Sequence, residues 1–199
     1  LRSLIAVAYV VCSWVSTAVA DSSFPVKVAH LDFDNIPTIE IEPGHHGELA
    51  MDPALRNIGQ GLAPVYLYRL PDYKTPKQLL LTTIVDGKRV FSPIVVLLND
   101  DYEPASVVKE EVSLHRVNQV EVSSSMPIVI QPGHKYMLIT TDPKFFGKQL
   151  SYKRLNTSIV RVYDGNNMRY VPVTTGTREE NVVIANSGRL ALSAPHRDY

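Results

Sequence analysis

Thiols and indoles are nearly absent from this chain, whose 199 residues include one cysteine, Cys12, and one tryptophan, Trp14. Both fall in the first twenty positions. The sequence beyond them therefore has no disulfide, no thiolate metal site and no cysteine nucleophile, and its stability must come from packing and hydrogen bonds. Net charge is missing as well: 20 Lys and Arg balance 20 Asp and Glu, with no long run of either sign. Nucleic acid and anionic membrane surfaces are accordingly poor partners. Long amphipathic helical patterns do not occur, because 14 prolines are spread along the chain with short apolar runs between them. There is no G-x-S-x-G, no P-loop, no H-E-x-x-H and no G-x-G-x-x-G. The expectation is a protein without enzymatic activity, cofactor or metal.

What the chain does have begins at its start. Arg2, the apolar stretch Leu4 to Val15 and the small residues Ala18-Val19-Ala20 form the pattern of a secretory signal peptide, with cleavage expected between Ala20 and Asp21. The apolar stretch is shorter than the roughly 20 residues of a spanning helix. Residues 1–20 are thus read as a signal peptide and 21–199 as one exported domain, destined for the periplasm and without a membrane span after processing.

Short strands dominate the reading of that domain. Ile39 and Ile41 alternate with Glu40 and Glu42 up to Pro43-Gly44, and Pro64 to Pro71 is a second bounded strand. QLLLTTIV and KRVFSPIVVLL flank Asp86-Gly87, a dipeptide typical of two-residue hairpins, so these two strands are expected to pair antiparallel; Pro93 cannot donate to a ladder and belongs at a bulge or an edge, which makes Val90 to Leu98 a candidate edge or near-edge strand. Ile94 to Leu98 is apolar throughout, as in a core strand. A second hairpin is expected across Pro132-Gly133-His134. Asp142 to Leu150 reads as one short helix, with Asp142 as N-cap, Pro143 in its first turn and Gly147 keeping it short. Ala105 to Arg116 leans towards strand. Ile159 to Tyr163, Val182 to Ile184 and Leu190 to Leu192 add further strands, while polar Thr174 to Asn181 reads as a mobile loop. The count predicts a mainly β fold, a two-sheet antiparallel sandwich of jelly-roll type with one short helix near 142–150.

Candidate sites are few. Asn99, Asp100, Asp101 and Tyr102 follow the most apolar strand and place carboxylates and a ring at one end of the sandwich, as sugar-binding and calcium loops do, although Asn and Asp also end strands for purely local reasons. His45-His46, Asp32-Phe33-Asp34-Asn35 and Gly59-Gln60-Gly61 read as loop, surface turn and flexible connection. Tyr66 and Tyr68 share one strand face and fit core packing better than a binding stripe. Asp164-Gly165-Asn166-Asn167 reads as a hairpin turn.

Four stretches taken in order, VYLYRLPD at 65–72, VFSPIVVLLNDDYEPAS at 90–106, KYMLITTDPKFFGKQLSY at 135–152 and SGRLALS at 187–193, resemble the maltose operon periplasmic protein family, MalM. The resemblance implies a soluble periplasmic protein of Gram-negative bacteria with no established catalysis. On it, the chain is expected to assist maltose or maltodextrin handling or transport, with maltodextrin or another glycan, or envelope and transport proteins, as partners. The alternative expectation is a cell-envelope assembly or structural subunit that acts through protein–protein contacts.

Overall fold

The computed structural model describes residue 28 and residues 31–116, 122–164 and 167–195. Ala18, Ala20 and Asp21, at which cleavage is expected, lie outside them.

Apolar residues that run without alternation need cover on both faces, and the first sheet supplies it. Its path is β1 (Thr38–Glu40), β4 (Leu62–Arg69), β11 (Tyr136–Thr140), β7 (Ile94–Leu98) and β8 (Pro104–Lys109), with β3 (Ala54–Asn57) also on β4. Every residue of β7 and β11 is buried. One face of this sheet, carrying Tyr66, Tyr68, Val95, Leu97, Met137 and Ile139, packs on a second sheet. The other, carrying Val65, Leu67, Val96, Leu98 and Leu138, is covered by Leu31, Ile36, Ala54 and Ile58. A 3-10 turn at Phe33–Asn35 helps to lay that cover down.

The second sheet runs β2 (Gly47–Glu48), β14 (Arg189–Ser193), β5 (Lys77–Ile84), β10 (Val122–Ile130) and β9 (His115–Arg116). It is one-sided. Along β10, Met126, Ile128 and Ile130 point into the core while Pro127 and Val129 are exposed, the period of two of a half-buried strand. Pro127 is tolerated because β9 pairs with only Val122 and Ser123, which leaves the proline's outer side unpaired. The two sheets make the sandwich that the short apolar runs predict.

Two expected hairpins are replaced by corners. The Asp86-Gly87 turn forms, with Asp86 and Arg89 exchanging backbone hydrogen bonds of 2.9 and 3.0 Å and Gly87 at φ 61°. The ladder then stops. β5 pairs with β10 and β14, whereas Ser92-Pro93 carries the chain across to the first sheet, where β7 lies between β11 and β8. The expectation that Val90 to Leu98 lies at or near an edge holds for Val90 and Phe91, whose short strand is the edge of a third sheet, and is corrected for Ile94 to Leu98: proline's missing donor falls at the sheet-to-sheet crossing, and β7 is interior. Likewise the Pro132-Gly133-His134 turn forms, with His134 N–H to Gln131 C=O at 3.1 Å, but joins β10 of one sheet to β11 of the other. The helix expected over 142–150 shrinks to a 3-10 turn, Pro143–Phe145, in which the Asp142 carboxylate accepts the Lys144 N–H at 2.9 Å. Gly147, at φ 82°, ends it, and by Gln149 the chain is extended.

The corner at His134 makes stability depend on pH. Its Nδ1 accepts the Gln131 N–H at 3.1 Å, and partial burial lowers the pKa of the ring from its ordinary value. The unfolded chain takes up a proton below about pH 6.5 that the folded chain resists, so stability is full above that pH and falls as pH drops through it. His134→Asn should flatten this limb. Melting temperatures at pH 7.5 and pH 5 check it, the wild type losing more on acidification than the variant.

Candidate functional site

The third sheet holds the feature that the sandwich does not explain. β12 (Gln149–Asp164) and β13 (Asn167–Ala185) form an antiparallel ribbon of 16 and 19 residues, and β6 (Arg89–Phe91) joins only its foot, pairing with Val183, Ile184 and Ala185. At about 3.4 Å per residue the ribbon is roughly 50 Å long, about three times an ordinary strand.

Its foot is anchored. Val182, Ile184 and Val90 are buried with Phe145, Phe146, Leu150 and Tyr152 packed against them. Ser151 Oγ donates to Asn181 Oδ1 at 2.8 Å, the Tyr152 hydroxyl donates to Glu180 at 2.7 Å, and Arg178 pairs with Glu180. Further out the register shifts once: Asn156 faces Gly176 while Thr157 faces Thr174, so Thr175 is an extra residue. Such a bulge bends a ribbon and increases its twist. Beyond it every described side chain, from Ser158 to Asp164 and from Asn167 to Thr174, is exposed. The β-branched and aromatic residues Ile159, Val160, Val162, Tyr163, Tyr170, Val171 and Val173 favour extended backbone, and Asp164 facing Asn167 closes the tip. The polar segment Thr174 to Asn181, expected as a mobile loop, is thus part of β13: its side chains are polar because neither face of the ribbon is covered there.

The pairing register assigns the outer arm's side chains to two faces. One carries Ile159 opposite Pro172, Arg161 opposite Tyr170 and Tyr163 opposite Met168. Ile159 is 72% exposed, Tyr163 68%, Tyr170 59% and Met168 47%, and the Arg161 guanidinium sits 5.8 Å from the centre of the Tyr170 ring. The other face carries Val160 opposite Val171, Ser158 opposite Val173 and Val162 opposite Arg169, its valines about half as exposed as Ile159. Apolar side chains gathered at this density on a surface mark contact sites, whereas scattered ones do not.

The sequence candidates come out differently. Asn99 spends its side chain on its own loop: Oδ1 accepts the N–H groups of Asp101 and Glu103 at 3.0 and 2.8 Å, and Nδ2 donates to Glu103 at 3.0 Å. Tyr102, at φ 59°, is stacked between Phe33 and Tyr136 with ring centres 4.3 and 4.5 Å away, and the neighbouring Tyr136 hydroxyl raises its pKa. Both faces of that ring are occupied. Asp100 and Asp101 are exposed at the strand end. Tyr66 and Tyr68 are core residues, Tyr66 edge-on to Phe91 and Tyr68 donating its hydroxyl to Ala50 C=O at 2.9 Å. His46 Nδ1 accepts the Ala194 N–H at 3.2 Å. Among the described residues no group of three or more His, Cys, Asp and Glu is placed to hold a metal ion, and no helix is long and apolar enough to cross a membrane.

One cavity of about 270 Å³ opens beside the foot of the arm, floored by Val112, Phe145, Leu150 and Ile184 and rimmed by charged groups of both signs. Lys148 lies 5.4 Å from the centre of the Phe145 ring.

Fold and site together define a β-sandwich protein bearing an apolar ribbon arm. Searches of family models, curated proteins and solved structures match nothing to this chain.

Proposed function

We propose that this is a non-enzymatic protein of the bacterial cell envelope, exported by its first twenty residues, that acts through protein–protein contacts made by the β12–β13 arm. The observation that carries the reading is the set of eight large apolar side chains exposed on the outer arm. A two-stranded ribbon is marginal in water on its own, and covering these side chains supplies what it lacks. If the chain assists maltodextrin handling, as its likeness to the MalM family implies, it does so through a partner protein. The stacking of Tyr102 between Phe33 and Tyr136 and the bonding of Asn99 within its own loop support placing the contacts on the arm rather than at that end of the sandwich.

A photo-reactive amino acid at Tyr163, introduced in living cells, tests the proposal against the same residue at Val129 on the sandwich surface. Adducts of defined mass are expected from position 163 and not from 129. Calorimetry with maltoheptaose is expected to give no heat. Sugar binding without arm adducts would overturn the reading.

A further inference from the structure

The arm's more exposed face is its own complement. It consists of three cross-strand pairs, Ile159 with Pro172, Arg161 with Tyr170 and Tyr163 with Met168. Consider a two-fold axis running along the arm, so that β12 of one copy lies over β13 of another with both tips pointing the same way. Ile159 then meets Pro172, Tyr163 meets Met168, and each Arg161 meets a Tyr170 ring in the opposite copy, repeating between chains the contact that already exists within one. Running the arms in opposite directions instead places Arg161 over Arg161, like charges face to face. The charges thus select one orientation, and that orientation is isologous, the commonest symmetry of soluble dimers.

Area points the same way. Ile159, Tyr163, Met168 and Tyr170 are each between 47% and 72% exposed. A large side chain offers about 150–250 Å², so with Pro172 and the Arg161 stem the face presents roughly 600 Å². Two such faces cover about 1,200 Å², the lower bound of a specific interface. Paired ribbons also give each other the second layer at about 10 Å that a lone hairpin is without. The valine face, less exposed, remains on the outside.

We infer that two copies of this chain dimerise through their arms, face to face over the Ile159, Arg161, Tyr163, Met168 and Tyr170 side. This deepens the reading of the arm as a contact surface by naming its occupant as a second copy.

Sedimentation equilibrium of the purified protein tests it, from about 1 to 100 µM. The wild type should show a dimer mass within that range. Tyr163→Glu should weaken the dimer by about 100-fold or more, because it places a charge against an apolar partner. Arg161→Glu, which removes no apolar residue, should weaken it by about tenfold or more. Val162→Glu, on the opposite face of the same strand, should leave it within about threefold of wild type. All three should melt as the wild type does below its dimerisation range, since the arm lies outside the sandwich core. A wild-type monomer at about 100 µM overturns the inference, as does equal loss in Val162→Glu or an unchanged dimer in Tyr163→Glu. A wild-type monomer that still forms adducts with a different protein from position 163 in cells removes the second copy while sparing the contact surface.

Discussion

Leu97→Ala and Leu98→Ala should each cost about 2–5 kcal/mol of stability, although their side chains point in opposite directions. Leu97 lies between the two sheets of the sandwich, and Leu98 lies beneath the segment that holds Leu31, Ile36 and Ile58. Both are fully buried. In a plain sandwich the outer face of a sheet meets water, and truncating Leu98 would then change stability by only about 0.5 kcal/mol. Urea denaturation of the two variants distinguishes the cases. Similar losses mean that the cover over the outer face packs as a second core, and a silent Leu98→Ala means that it does not.

The second large effect comes from adding a single carbon. A Cβ on Gly188 would lie 2.8 Å from Phe91 Cβ and 3.1 Å from the Phe91 N–H nitrogen. Phe91 is fully buried, its ring edge-on to Tyr66, and its C=O accepts the Thr83 hydroxyl at 2.8 Å, so neither it nor its backbone can retreat cheaply. Gly188→Ala should therefore cost about 1–3 kcal/mol through overpacking. Gly87 makes the contrast: its surroundings are open and its φ is 61°, so Gly87→Ala would act through backbone strain alone. Denaturant midpoints report both. A Gly188→Ala variant as stable as the wild type would show that the approach of β14's entry to β6 is looser than described.

The sequence made local events legible and left partner choice hidden. Asp86-Gly87 and Pro132-Gly133-His134 form turns where their residues demand them, and the apolar run Ile94 to Leu98 becomes a strand buried on both faces. Each turn nevertheless joins strands of different sheets. A tight turn fixes a reversal of direction, but whether the next strand pairs beside the last or crosses about 10 Å to the facing sheet depends on packing by distant residues. The arm was harder to read. Ile159 to Tyr163 is recognisable as a strand, but polar Thr174 to Asn181 lacks the apolar alternation that a core imposes, because no core faces it. The one local signal for it is compositional: the β-favouring Val171 and Val173 run directly into Thr174 and Thr175 on the far side of the turn flanked by Tyr163 and Tyr170. The loop at Asn99 to Tyr102 does follow the apolar strand β7, but its internal economy, with Asn99 bonded to its own loop and Tyr102 stacked on Phe33, depends on contacts that no local pattern encodes.

Hydrogen exchange along the arm tests most directly whether it is a covered contact surface. Backbone amides of 158–164 and 167–173 should exchange slowly in protein recovered with its natural assembly intact, and quickly in the purified chain at high dilution, because a lone ribbon opens readily. Equally fast exchange in both states would contradict the account, since an arm that nothing covers cannot be what the protein works with.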